Sequence, residues 1–315
     1  MAASIKAAPF RRHDLAGHAS LIRQVIACMQ VANEAGIPPT RNPAMSTQHD
    51  THPNLHPDTQ RNTQQGLAAR FHALHQPGHP LVLFNAWDAG SARAVAEAGA
   101  LAIGTGSWSV AAANGFDDGE RLPLNFALDN LRRILASVTL PVTIDLESGY
   151  GESPDQVAAT VEAALQTGAV GCNLEDSFPD SGKLRDTASQ AARLAHARQA
   201  TDRAGIAMFI NARTDVFFQK PAAEHDMAMV GDALQRARAY ADAGASGLFV
   251  PGVVAEPLIA RLAEASPLPV NIMAMPGVPA RARLAELGVA RISHGPGPYR
   301  GAMQWLQEAA RGAMT

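Results

Sequence analysis

The chain has 315 residues, 47% hydrophobic and only 17% charged, so it can bury a large core and is not disordered overall. Its 26 Lys and Arg against 29 Asp and Glu leave a formal charge of -3 without a long basic run, so nucleic acid is not an expected partner. Two cysteines, Cys28 and Cys172, exclude a disulfide framework, and no apolar stretch approaches the roughly 18 residues of a bilayer span; a cytoplasmic protein without a membrane partner is expected.

Residues 1–64 read as an N-terminal extension, mostly disordered or loosely attached. Leu21 to Gly36 could form one amphipathic helix. Arg11, Arg12 and Arg23 against a single early acid, Asp14, faintly resemble a transit peptide, but the apolar region of a secretory signal is missing, and Met45 is an alternative start. From Pro38 to Gln65 the chain is polar, rich in Pro, Asn, Gln, Thr and His, and without apolar periodicity, as in a chain unable to bury a core.

From residue 65 to 315 the pattern becomes a repeat. Apolar or β-branched runs ending in polar residues begin at Leu81, Leu101, Pro141, Ala169, Ala207, Ser246, Pro269 and Val289, and Ala-rich segments of helical period alternate with them. Ser153, Pro154 and Gln156 form a capping box with proline at the first helical position, and Thr187 with Gln190 repeats the spacing. Gly99, Gly168, Gly205, Gly244 and Gly288 suit left-handed helix ends. About eight strand–helix units in about 235 residues match an α/β fold of the (β/α)8 TIM-barrel type. An open doubly wound sheet would usually carry G-x-G-x-x-G after its first strand, where this chain has NAWDAGSA.

In a barrel the chemistry lies at the carboxyl ends of the strands. The third strand ends in Asp145 and Glu147, the fourth in Asn173 and Glu175, the fifth in Asn211 and Arg213, each pair spaced to share a face. Such crowded acids call for a hard cation, and oxygen-only ligands point to Mg²⁺, with Mn²⁺ also possible. Lysine occurs only at Lys6, Lys183 and Lys220, which leaves almost no candidate for a Schiff base. Beyond residue 80 only His196, His225 and His294 remain, and their spacing does not suggest a three-histidine zinc site. Asp88 suits a helix cap as well as a functional role, and capping or structural pairing is expected of Asp176 and Asp215.

The ordered set NAWDAGSARAVAEAGALAIGTGSWSVAAANGFDDGE, PVTIDLESGYG, GCNLED, INARTD, GLFVPG and ELGVARISHGPGP resembles the isocitrate lyase/phosphoenolpyruvate mutase superfamily from about Leu81 onward. The resemblance implies a (β/α)8 barrel, a homodimer or homotetramer that exchanges its C-terminal helix, and Mg²⁺-assisted chemistry on a small 2-oxo or 2-hydroxy carboxylate through an enolate. It implies Gly104, Thr105, Gly106 and Ser107 around the substrate carboxylate, with Trp87, Asn173, Asn271 and Ser293 also lining the substrate. It further implies a catalytic acid of a mobile loop in Asp118, a metal shell of Asp145, Glu147 and Glu175, and a carboxylate-binding Arg213.

Two departures narrow this. The second metal acid is Glu147 rather than aspartate. After the fourth strand the chain reads EDSFPDSGKLRD, without the K-[KR]-C-G-H loop of isocitrate and methylisocitrate lyases and without the K-x-N-S-type loop of the mutases and phosphonopyruvate hydrolases. Cys172 cannot replace the loop cysteine, since it lies within the strand and points opposite to Asn173. A carbon–carbon lyase or decarboxylase for oxaloacetate-like substrates is therefore expected. Carbon–phosphorus chemistry and a non-catalytic ligand-binding barrel are the alternatives.

Overall fold

The computed structural model describes residues 57–315, so Cys28 and the helix expected over residues 21–36 lie outside the described residues. All eight expected strands form: β1 (Leu81–Leu83), β2 (Ile103–Gly104), β3 (Val142–Asp145), β4 (Gly171–Glu175), β5 (Phe209–Arg213), β6 (Gly247–Val250), β7 (Val270–Met273) and β8 (Arg291–Ser293). They are parallel, in the order β1-β8-β7-β6-β5-β4-β3-β2, and a parallel bridge from Ala86 to Thr105 carries the ring from β1 to β2. This is the (β/α)8 barrel. Among the described residues no helix is long and apolar enough to cross a membrane.

Ten α-helices surround or extend the barrel among the described residues: α1 (Pro57–Ala73), α2 (Ala89–Glu97), α3 (Ser107–Ala113), α4 (Leu124–Leu135), α5 (Pro154–Thr167), α6 (Thr187–Arg203), α7 (Met227–Asp242), α8 (Glu256–Ala265), α9 (Arg281–Glu286) and α10 (Gly297–Met314). Local chemistry sets their ends. Asp88 closes a capping box with Ser91 at α2, and Ser153 does so with Gln156 at α5. At α6 the cap is Asp186 rather than Thr187, because the Asp186 carboxylate already accepts the Ser189 N–H at 2.8 Å. Each of the five expected helix-ending glycines has positive φ, Gly168 reaching 109°.

Helix α1 departs from the expected boundary, since it starts at Pro57, inside the stretch read as a polar extension. It lies across the amino-terminal end of the barrel and meets backbone there as much as core. Gln64 Nε2 donates to the Leu165 and Ala169 carbonyls at 2.9 Å each, and Gln65 Nε2 donates to Gly205 O at 2.7 Å. Only a narrow apolar strip, including Ala68 and Phe71, enters the core. Phe71 packs edge-on to Phe209, and His75 stacks on the same ring at 3.8 Å. Burial pushes His75 down to about 3, so it is neutral there.

A Cβ at Gly171 would lie 2.7 Å from the Phe71 ring and 2.8 Å from Thr143 Oγ1, so α1 closes on the barrel only because β4 begins without a side chain. Gly171→Ala is expected to cost about 1–3 kcal/mol through overpacking, seen as a lower urea midpoint with an unchanged m value.

Candidate active site

Strand register builds the site. Asp145 pairs with Asn173 and Asn173 with Asn211 across β3, β4 and β5, and one rung higher Glu175 pairs with Arg213. The two-residue spacing thus brings Asn173, Glu175, Asn211 and Arg213 to one mouth as expected. On β3 it stops at Asp145. Glu147 lies past the strand with φ of 50°, in a left-handed turn that continues through Gly149 and Tyr150. Buried Arg193 pins this turn, donating to Glu152 O at 2.6 Å and Ser148 O at 2.5 Å.

Arg213 is held between two acids. Its Nε and Nη2 donate to Asp215 at 2.7 and 3.0 Å, and Nη1 lies 2.7 Å from Glu175 Oε2. Ser177 Oγ bridges these acids, 3.0 Å from Glu175 Oε1 and 2.8 Å from Asp215 Oδ2, its single proton going to one of them at a time. Burial drives the Glu175 carboxyl upward, while its charge and that of Asp215 keep the guanidinium ionised. Asp215 thus pairs structurally and caps no helix through its side chain. Asp176 is wholly buried, accepting from the Asp215 N–H at 2.9 Å, Tyr240 OH at 2.8 Å and Arg236 Nη1 at 3.1 Å.

The segment 115–122 closes over the mouth as a lid. Glu120, itself at φ of 60°, donates its N–H to Glu147 Oε2 at 2.6 Å, while its carboxylate accepts from Ser148 Oγ at 2.7 Å and Tyr150 N–H at 2.9 Å. Tyr150 OH donates to Glu147 Oε1 at 3.2 Å. A small cavity lies beside this turn, lined by Thr105, Ser107, Asp145, Glu147 and Tyr150. Burial, then the charge of Asp145, raises the Asp118 carboxyl. Burial, with the charges of Asp145 and Asp118, holds Glu147 up to about 7. Among the described residues none of Asp118, Asp145 and Glu147 has an ion-pair partner. That oxygen-rich, under-neutralised set suits a hard dication. Among the described residues no three His, Cys, Asp or Glu side chains converge as a ready chelate.

The segment after β2 supports the acids. Ser107 donates from N–H and Oγ to Asp145 Oδ2 at 3.3 and 3.0 Å, and Thr105 Oγ1 accepts from the Asp145 N–H at 3.0 Å. Gly104 has Leu83 and Thr143 within 3.1 and 3.3 Å of where a Cβ would sit, and Gly106 precedes α3. Trp87 stands at the end of β1, its ring edge-on to Tyr299 at 5.2 Å. Asn271 and Ser293 bond each other at 3.1 Å in the floor.

The segment 176–186 forms a compact hairpin, with Arg185 N–H donating to Asp176 O at 2.7 Å and Phe178 N–H to Lys183 O at 2.8 Å. Lys183 is exposed near its tip, and Asp180 pairs with Arg121 of the lid at 2.9 Å. Cys172 is fully buried, and burial pushes its thiol up to about 12, which leaves it inert.

Sequence reasoning missed Asn85, Glu120, Tyr150, Ser177 and Arg291. Asn85 Oδ1 accepts from His294 and Gly295 N–H at 3.0 and 2.9 Å, and its Nδ2 donates to Thr105 O at 2.9 Å, so one amide ties three strand ends together. Its only signal was its place at a strand end.

A family model described as phosphoenolpyruvate phosphomutase matches residues 71–314. The uncharacterized protein Rv1998c of Mycobacterium tuberculosis is 39% identical over 243 residues, 76% of this chain and 87% of that protein. The 2-methylisocitrate lyase of Salmonella typhimurium is 31% identical over 211 residues, 63% of this chain and 70% of the enzyme. A crystal structure of a candidate phosphonomutase from Burkholderia cenocepacia J2315 superposes with a TM-score of 0.78 at 56% identity, covering 79% of this chain and 99% of that one.

Glu147 gives a pH test. Its folded pKa of about 7 lies above the ordinary 4.5, so the folded state holds a proton that the unfolded state has lost. Its contribution to stability is present below the lower value and lost as pH rises through the upper one. In metal-free protein, stability should fall over that interval more steeply in the wild type than in Glu147→Gln, by about 1 kcal/mol per pH unit, read from urea unfolding at stepped pH.

Proposed function

The chain belongs to the phosphoenolpyruvate phosphomutase family, within the isocitrate lyase/phosphoenolpyruvate mutase superfamily of enzymes, and from that premise we propose a Mg²⁺-dependent carbon–carbon lyase or decarboxylase. Relatives with this fold include lyases, decarboxylases and hydrolases of small carboxylates. The proposed substrate is a small 2-oxo or 2-hydroxy carboxylate, cleaved through an enolate. The observation that carries this reading is Arg213, clamped by Asp215 and Glu175 beside three acids that lack a cation of their own.

Arg213 has one further N–H on each of Nη1 and Nη2 left to meet a substrate carboxylate, and we assign the Gly104 to Ser107 segment to the same anion, with the Ser107 N–H and Oγ released from Asp145 on binding. Asp145, Glu147 and Glu175 are the residues we assign to Mg²⁺, largely through water. When bound, the ion withdraws electron density as charge moves onto the enolate oxygen. Asp118 reaches in from the lid, and its raised carboxyl can hold a proton close to the reacting carbon. Trp87, Asn173, Asn271 and Ser293 line the remainder. In decarboxylation the bond to the departing carboxylate breaks, its electron pair enters the enolate, CO₂ leaves, and the enolate takes one proton to give the 2-oxo acid. The hairpin over 176–186 brings no cysteine or histidine to the mouth, which favours oxaloacetate-like substrates that collapse without a dedicated acid on that loop.

The C-terminal helix supports a homodimer or homotetramer. Only Pro298 of α10 is buried, while Trp305 and Leu306 are 68% and 52% exposed. Between α2 and α9, where an eighth barrel helix would pack, lies an apolar groove of about 1020 Å³ lined by Leu74, Val82, Phe84, Val95 and Leu101. We assign it to the α10 of a second copy. The double variant Trp305→Glu, Leu306→Glu should then run as a monomer in light scattering, and an unchanged mass would sink the exchange.

Purified protein with Mg²⁺ should release pyruvate from oxaloacetate, stop on chelation by EDTA, and lose about 100-fold of its turnover in Arg213→Lys. Pyruvate from phosphonopyruvate alone would instead select carbon–phosphorus chemistry. Mg²⁺-dependent oxalate binding in calorimetry without turnover of oxaloacetate, 2-methylmalate or phosphonopyruvate would mark a ligand-binding barrel.

A further inference from the structure

Arg291 lies on β8 inside the barrel and is 1% exposed. Among the described residues no carboxylate lies within ion-pair distance of it. Burial lowers its pKa only to about 9, the charge of Asp145 working against that shift, so it remains a cation at neutral pH. A buried charge without a partner is costly, and a fold alone gives no reason to keep one.

Its hydrogen bonds explain the position. Arg291 Nε donates to Ser293 Oγ at 3.1 Å, and Nη2 reaches Asn173 Oδ1 at 3.4 Å. Asn173 Oδ1 also accepts from Asn211 Nδ2 at 2.9 Å, and Ser293 Oγ can donate onward to Asn271 Oδ1 at 3.2 Å. A guanidinium only donates, so each partner must offer it an acceptor. Asn173 is thereby held with Oδ1 toward Arg291, leaving its NH₂ for a ligand, and the Ser293 hydroxyl proton is directed toward Asn271. A neutral amide at the same place would permit either orientation. Among the described residues Arg291 Nη1 and Asn211 Oδ1 have no hydrogen-bond partner.

We propose that Arg291 is a positioning residue that sets the hydrogen-bond polarity of the barrel floor, so that Asn173 presents a donor to anionic substrate oxygens. This rests on the enolate reading above, and it adds a residue that touches no substrate. The floor is thereby matched to a ligand with negative charge on its buried side, such as an α-keto carboxylate or its enolate, rather than to a neutral carbonyl compound.

The test compares Arg291→Met and Arg291→Lys with the wild type. Mg²⁺-dependent oxalate affinity should fall about 10- to 100-fold in the Met variant, with the thermal midpoint unchanged or raised and kcat reduced more than KM. The Lys variant should recover part of the affinity. In ligand-free protein, the Asn173 side-chain amide should give one NMR signal pair in the wild type and a broadened or doubled pair in the Met variant. Oxalate affinity within twofold of wild type would overturn the proposal. So would an affinity loss that only tracks lost stability, with the Lys variant no better than the Met variant. Wild-type protein that neither binds oxalate nor turns over any substrate fails the enolate reading instead, and the Asn173 signals then decide the role of Arg291: unchanged signals in the Met variant overturn it.

Discussion

Arg213 sits between two carboxylates, and its placement depends on a chain of contacts that begins outside the barrel. Tyr240 and Arg236 on α7 hold Asp176 at 2.8 and 3.1 Å, Asp176 accepts from the backbone of Asp215, and Asp215 grips the guanidinium with both oxygens. Ser177 then ties Asp215 to Glu175 across the top. Every member is buried or nearly so, and each satisfies the next. A buried charge pair adds little to stability unless its remaining donors and acceptors are met. Here they are met, and the guanidinium is held in one orientation with N–H groups still available. Orientation settled before substrate arrives is what an anion site gains from such a network.

The lid side shows the opposite arrangement. Glu120, Glu147 and Tyr150 are the non-glycine residues with positive φ among the described residues, and they meet around one carboxylate. Left-handed backbone at such residues costs about 1–3 kcal/mol each and persists only where neighbours enforce it. Arg193 enforces it from below through Ser148 O and Glu152 O, and Glu120 from above through Ser148 Oγ and Tyr150 N–H. Together these contacts hold the segment 115–122 against the turn after β3.

Much of this was legible because parallel strands buried on both faces read as apolar runs, and glycine closes helices for a stereochemical reason. Period two carried Asn173 with Glu175 and Asn211 with Arg213 to the mouth, since both pairs lie inside strands. It failed at Glu147, where the strand had already ended and a left-handed turn, set by distant Arg193, took over. Helix α1 escaped notice for a different reason: Gln64, Gln65 and His72 bind barrel carbonyls, so a polar sequence was compatible with a docked helix. Periodicity detects apolar burial and has no term for side chains that satisfy another element's backbone. Arg291 was invisible for the same reason in reverse, because a charge inside an apolar strand looks like a solvent-facing residue until the strand is placed in a barrel.

The charges at the mouth bear on the chemistry as well as on the architecture. Among the described residues Asp118, Asp145 and Glu147 carry no ion-pair partner, Glu175 shares Arg213 with Asp215, and Arg291 lies below without an acid of its own. Separated this way, the acids form a layer under the lid that favours a cation, and the arginines favour an anion beside and beneath it. A ligand that is an anion at one end and a chelator at the other meets both layers at once, whereas a neutral carbonyl compound meets neither. A 2-oxo carboxylate has that character, and it becomes more pronounced as the carbonyl turns into an enolate. On the proposed reading the same distribution would bind the reacting state more tightly than the ground state, which is the condition for lowering a barrier rather than merely filling a site.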